Sequence, residues 1–71
     1  MDIRIIKQLH DFITNERTGS PKELAEKLGV SERTIYSYIS YMKVNMNAPI
    51  IFDMQKGNYI YNRVCLLNFK G

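Results

Sequence analysis

The chain has 71 residues, 45% of them hydrophobic, with one cysteine, one histidine and a formal net charge of +3. That length allows one small domain, hiding about 60% of its unfolded surface, and that apolar content argues against a disordered tail. A lone cysteine excludes an internal disulfide and suits a reducing cytosol, and one Cys with one His and no suitable carboxylate cluster excludes a zinc site.

The start, MDIRIIKQLHDF, is interrupted by charge and does not read as a signal peptide. Ile3, Ile5, Ile6, Leu9, Phe12 and Ile13 recur at three- and four-residue steps. They predict an amphipathic first helix over about residues 2–15, with Asp2 as N-cap. Ser20-Pro21-Lys22-Glu23 then reads as a capping box with proline at the first helical position. It opens a second helix over 21–28, buried through Leu24, Ala25 and Leu28 and stopped at Gly29. Ser31 is the next N-cap, and a third helix is expected over about 32–43. On a wheel of about 100° per residue, Ile35, Ile39 and Met42 share one face, with Arg33, Tyr36, Ser37 and Ser40 opposite. Tyr38 and Tyr41 fall on a flank, where they are expected to cover the core edge.

The period then changes. Residues 44–49 form a connector in which Pro49 forbids further helix. Residues 50–53 (IIFD) and 59–62 (YIYN) are rich in β-branched and aromatic residues and flank a turn of four or five residues. They predict a β-hairpin. Residues 64–69 could add a strand or pack on the first helix. No apolar run approaches the roughly 20 residues needed to cross a bilayer, so a cytoplasmic protein without membrane contact is expected.

Charge is unevenly distributed. Residues 1–32 carry five basic and six acidic groups, a net of −1, while residues 33–71 carry Arg33, Lys43, Lys56, Arg63 and Lys70 against Asp53 alone, a net of +4. The positive half suits either a polyanionic partner or a merely soluble basic surface.

The run ELAEKLGVSERTIYSYISYMK (23–43) has helix-turn-helix spacing. Ala25 must be small where two helices cross, Gly29 must turn left-handed, and Ile35 must plug the angle between the helices. Together with the hairpin, LAEKLGVSERTIYSYISYMK…APIIFDMQKGNYIYN resembles the small winged-helix domains of DeoR-type repressors, WYL-containing regulators and the biotin repressor. Leu24-Ala25, Leu28-Gly29-Val30-Ser31, Arg33-Thr34-Ile35, Pro49-Ile50, Phe52-Asp53, Gly57 and Tyr59 carry the likeness. It covers about residues 1–62. It implies an α+β fold: a three-helix core followed by a β-hairpin wing. Those families usually attach a ligand-binding or dimerisation domain, which these 71 residues do not include.

The resemblance further implies that the third helix enters a DNA major groove while the wing lies along a phosphate strand or the minor groove. Carried onto this chain, the candidate DNA-binding residues are Ser31, Arg33, Thr34, Tyr36, Ser37 and Ser40, with Lys43 near the helix end and Lys56 at the wing tip. Arg33 could fork onto guanine O6 and N7, or be a solvated arginine paired with Glu32 or Ser37. Ser31 and Thr34 could cap the helix, bond phosphate, or both. Tyr36 could meet phosphate or a thymine methyl. Lys56 could equally be a charged turn that keeps the hairpin soluble. Glu32 suits the helix dipole yet repels phosphate, and Ser37 stands where the resembled families often carry Arg or Lys. His10 is expected at the surface and Cys65 as a small buried hydrophobe.

No Gly-rich phosphate loop, carboxylate pair or Cys/His arrangement suggests catalysis or a cofactor. The expectation is a non-enzymatic domain that binds double-stranded DNA in transcriptional control. It would act as a homodimer or with a partner protein, using residues 64–69 and the first helix as contact surfaces. The alternative is a winged helix that binds protein and not DNA.

Overall fold

The computed structural model describes residues 2–62. Three helices, α1 (Ile3–Thr14), α2 (Pro21–Leu28) and α3 (Glu32–Asn45), precede two strands, β1 (Ile50–Asp53) and β2 (Asn58–Tyr61). The architecture is the expected α+β winged helix. Arg63, Cys65, Lys70 and the segment 64–69 lie outside the described residues.

Each helix starts where a side chain can satisfy an orphan backbone amide. The Asp2 carboxylate accepts from the Arg4 amide at 2.9 Å. Ser20 Oγ accepts from the Glu23 amide and Glu23 Oε1 accepts from the Ser20 amide, both at 3.2 Å, completing the capping box. Ser31 Oγ accepts from the Thr34 amide at 3.1 Å. At the end of α2, Gly29 takes φ 68. Its amide donates to the Glu26 carbonyl and that of Val30 to the Ala25 carbonyl, the paired bonds of a Schellman closure. This closure sets the angle at which α3 leaves α2.

The core fills that angle. Ile6, Leu9 and Ile13 of α1 meet Leu24 and Ala25 of α2 and Ile35, Ile39 and Met42 of α3, with Ala48, Ile50 and Tyr59 closing the wing side. Tyr38 and Tyr41 pack against this cluster, and the Tyr38 hydroxyl accepts from the Asp2 amide at 3.0 Å, tying α3 to the start of α1. Of the apolar stripe of α1, Ile6, Leu9 and Ile13 are consumed inside the molecule, Ile5 and Phe12 are partly covered, and Ile3 is exposed.

Two boundaries differ from expectation. α3 continues two residues past Lys43, because Met46 packs on the core and draws the last turn with it. The turn is then made by Asn47, at φ 52, whose neighbour Ala48 donates to the Met42 carbonyl; Pro49 is not what stops the helix. β2 begins at Asn58, not Tyr59, because Asn58 pairs with Asp53 and its side-chain oxygen accepts from the Gly19 amide at 2.8 Å.

The wing is joined to the α1–α2 loop by three contacts. Thr18 is fully buried, and its hydroxyl accepts from the Tyr59 amide at 2.7 Å while donating to the Gly19 carbonyl at 3.0 Å. Asn58 holds Gly19, as above. Lys56 on the wing turn meets Glu16 at 2.8 Å.

Thr18→Val keeps the shape and removes the acceptor, leaving the Tyr59 amide buried and unpaired. Urea unfolding is expected to show a loss of about 1–3 kcal/mol, with faster hydrogen exchange at Tyr59. The cap hydrogen bonds from Ser20 hold the Glu23 carboxyl below its ordinary 4.5. A depressed carboxyl contributes stability that is present above the unfolded value and lost as pH falls through the folded one. Stability is therefore expected to drop as pH falls below about 4.5, and Glu23→Gln should flatten that part of the acid limb in unfolding curves.

Candidate nucleic-acid interface

The first turn of α3 begins with Ser31 and Glu32, and its exposed side carries Arg33, Tyr36, Ser37 and Ser40. These four occupy i, i+3, i+4 and i+7, which places them on one face. With a rise of about 1.5 Å per residue, Arg33 and Ser40 stand about 10 Å apart along the axis. Lys43 and Val44 continue the same side toward the helix end and are also exposed. On the opposite side, Ile35, Ile39 and Met42 are buried. The face holding Arg33 is thus bare, and neither the wing nor α1 lies over it.

The side chains of Arg33, Ser37, Ser40 and Lys43 make no hydrogen bond or ion pair with any other described residue. The alternative pairing of Arg33 with Glu32 or Ser37 does not occur. Ser31 and Thr34 are different. Their hydroxyls lie 2.9 Å apart and Ser31 caps the helix, so both are engaged within the first turn. Thr34 is moreover half-buried. Tyr36 is 52% exposed and lies on the side of α3 nearest the root of the wing. There Tyr59 sits edge-on to Phe52, ring centroids 5.1 Å apart. Burial, followed by the proximity of Tyr36 and Glu32, pushes the Tyr59 phenol above its ordinary 10.0. The wing root thus lies near the first turns of α3, whose outer face stays open.

Two helices at this crossing, a left-handed glycine between them, a bare second helix and a wing beside it are what a helix-turn-helix fold requires. A family model described as an HTH domain matches residues 3–59. The chain belongs to this helix-turn-helix family. The match runs from the first residue of α1 through β1 and the turn to the second residue of β2, and with three helices followed by an antiparallel hairpin the domain is a winged helix-turn-helix. Membership points to DNA binding. Comparison with curated proteins and with solved structures returns no match.

In this winged helix-turn-helix domain the sequence-predicted residues separate into three groups. Arg33, Tyr36, Ser37, Ser40 and Lys43 share the bare side of α3. Ser31 and Thr34 belong to its cap. Lys56 stands apart on the wing turn, its ammonium neutralised by Glu16. The wing also presents apolar side chains outward, with Ile51, Phe52 and Met54 all exposed.

Sequence reasoning missed several positions. His10 is not simply at the surface: it is half-buried, with Nδ1 2.6 Å from the Tyr61 hydroxyl, because β2 packs against α1. Thr18, Asn58 and Glu16, which seat the wing, were also missed. The one available signal was Asn58 beside the turn glycine, a residue type that bonds backbone amides readily. Among the described residues no group of His, Cys, Asp and Glu could hold a metal ion, and no helix is long and apolar enough to cross a membrane.

The division of α3 into a packed side and a bare side has a direct test by substitution. Ile35→Ala is expected to cost about 2–5 kcal/mol. Tyr36→Ala, Ser37→Ala and Ser40→Ala should each change stability by less than about 0.5 kcal/mol. Chemical denaturation of the four variants checks both.

Proposed function

We propose that this domain binds double-stranded DNA sequence-specifically and acts as a small transcriptional regulator. Arg33, Tyr36, Ser37 and Ser40 would face base edges, and Lys43 would meet the backbone. The observation that carries the reading is the Arg33 face: exposed, unpaired among the described residues, and on the second helix of a helix-turn-helix. An α-helix about 10–12 Å across fits a major groove about 12 Å wide. The Arg33 fork matches guanine O6 and N7, worth about 1–3 kcal/mol of discrimination. The serine hydroxyls can donate or accept at neighbouring bases, and Tyr36 offers an apolar edge to a thymine methyl.

A face about 10 Å long spans roughly three base pairs at 3.4 Å each. That is too few for high specificity, so a two-fold homodimer on half-sites about 34–36 Å apart, or help from a partner protein, belongs to the proposal. The reading also takes the domain to be cytoplasmic and non-enzymatic. Ser31 and Thr34 contribute through the cap that presents Arg33, and any phosphate contact they make would come through the hydroxyls that already form it.

A second reading, a winged helix that binds protein, is favoured by one observation. Arg33 and Lys43 are the only cations on the bare side of α3, Glu32 lies beside them, and the wing cation is already paired. The two readings part over Arg33→Ala. Gel shift with duplexes selected from a random pool should show binding that weakens about a hundredfold between 50 and 200 mM salt if four cations meet phosphate. Arg33→Ala should lower affinity at least tenfold and relax the base preference at one position. Wild-type protein that selects no duplex would overturn the DNA reading and leave the protein-binding one.

A further inference from the structure

Two helices of this domain end with the same backbone closure but with different residues in its left-handed position. At the end of α2 that residue is Gly29, which has no Cβ and adopts φ 68 without strain. At the end of α1 it is Glu16, at φ 54. The Glu16 amide donates to the Ile13 carbonyl at 3.1 Å and the Arg17 amide to the Phe12 carbonyl at 2.9 Å, repeating the Schellman pattern. A residue with a side chain is strained there, and glutamate has none of the local hydrogen bonding that lets asparagine tolerate it. Strain of this kind points toward a use for the side chain.

The Glu16 carboxylate reaches across to the wing. Its Oε1 lies 2.8 Å from Lys56 Nζ, and the two side chains are 46% and 53% exposed. Lys56 is the sole cation of the wing sequence 50–61. Asp53 also faces it, but the Asp53 carboxylate accepts from the Gln55 and Lys56 amides at 2.9 and 3.2 Å and shapes the turn. Glu16 therefore places a carboxylate of the α1–α2 loop where it neutralises the wing cation.

We propose that Glu16 is an internal stand-in for a nucleic-acid phosphate, so that Lys56 contacts a duplex backbone only by exchanging Glu16 for it. The inference rests on the duplex-binding reading of the α3 face. An exposed ion pair is weak and exchanges readily, so the contact restrains the wing without locking it. Its effect falls on the sequence-independent part of binding, which comes from phosphate neutralisation. Base contacts on α3 are untouched. Holding Lys56 back lowers affinity for specific and non-specific duplex alike, so the ratio between them is left to the base contacts on α3.

The test uses the full chain and five variants: Glu16→Gln, Glu16→Gly, Lys56→Gln, the double variant of Glu16→Gln with Lys56→Gln, and Glu26→Gln as a charge-matched control exposed on α2. Binding to a mixed-sequence duplex is measured against salt, and retention on immobilised heparin serves as a polyanion probe that involves no bases. Glu16→Gln is expected to tighten duplex binding by up to about fivefold at 50 mM salt and to steepen the plot of log K against log salt by about 0.9, one added phosphate contact. Glu26→Gln should leave the slope unchanged, and so should Glu16→Gln in the Lys56→Gln background. Glu16→Gly, which also relieves the backbone strain, should repeat the Glu16→Gln result and so exclude a folding artefact. An unchanged slope in Glu16→Gln, or a gain that persists without Lys56, overturns the proposal. If no variant binds duplex but Glu16→Gln still elutes later from heparin in a Lys56-dependent manner, the duplex reading falls and the Glu16 device stands. If heparin retention is unmoved as well, the device falls with it.

Discussion

A single buried hydroxyl decides where the wing sits. Thr18 is fully enclosed, and its Oγ1 takes the Tyr59 amide at 2.7 Å, linking residues 41 positions apart. A buried donor left unpaired is expensive, so this bond fixes β2 against the α1–α2 loop. Asn58 on Gly19 and Lys56 on Glu16 reinforce the same seam. With β2 held there, Tyr59 turns its ring into the core and toward the start of α3. The hairpin then stands beside α3 and not over it. The bare face of α3 is thus compatible with a wing held by the α1–α2 loop.

That face is chemically spare. It offers one guanidinium, two serine hydroxyls, one phenol and a lysine near its end. Such a set favours directional hydrogen bonding over bulk charge attraction. Groups that can bond base edges outnumber the cations, and the wing cation is held by a carboxylate of the same chain. Under the proposed function, such a set would bind a polyanion weakly and discriminate by geometry. That balance also explains why dimerisation or a partner belongs to the proposed mechanism. Within the apolar stripe of α1, Ile6, Leu9 and Ile13 fill the core, which leaves Ile3 and the partly covered Ile5 and Phe12 for such a contact.

What the sequence revealed and what it hid follow one physical division. The capping box at Ser20 and Glu23, the left-handed Gly29 and the Ile35, Ile39, Met42 face are set by neighbours within a turn or two, and all were legible. So was the outward set Arg33, Tyr36, Ser37 and Ser40, because helical period alone assigns it. The contacts that place the wing were not legible. Thr18 with Tyr59, Gly19 with Asn58, Glu16 with Lys56 and His10 with Tyr61 each span 39 or more residues. No local pattern encodes such pairs. The true end of α3 was missed for a related reason: Met46 extends the helix by packing on the distant core, which outweighs weak local propensities. Lys56 was correctly placed on the wing turn, but its partner came from another part of the chain.

The central claim is that the fold leaves the Arg33 side of α3 open to receive a duplex. Amide chemical-shift mapping of the full chain, titrated with duplexes selected from a random pool, tests it most directly. The account predicts the largest changes at Arg33, Tyr36, Ser37 and Ser40, with the outward positions of α1, Arg4, Lys7 and Asp11, unmoved. Changes concentrated on α1 or α2, with the Arg33 side silent while duplex is bound, would contradict it.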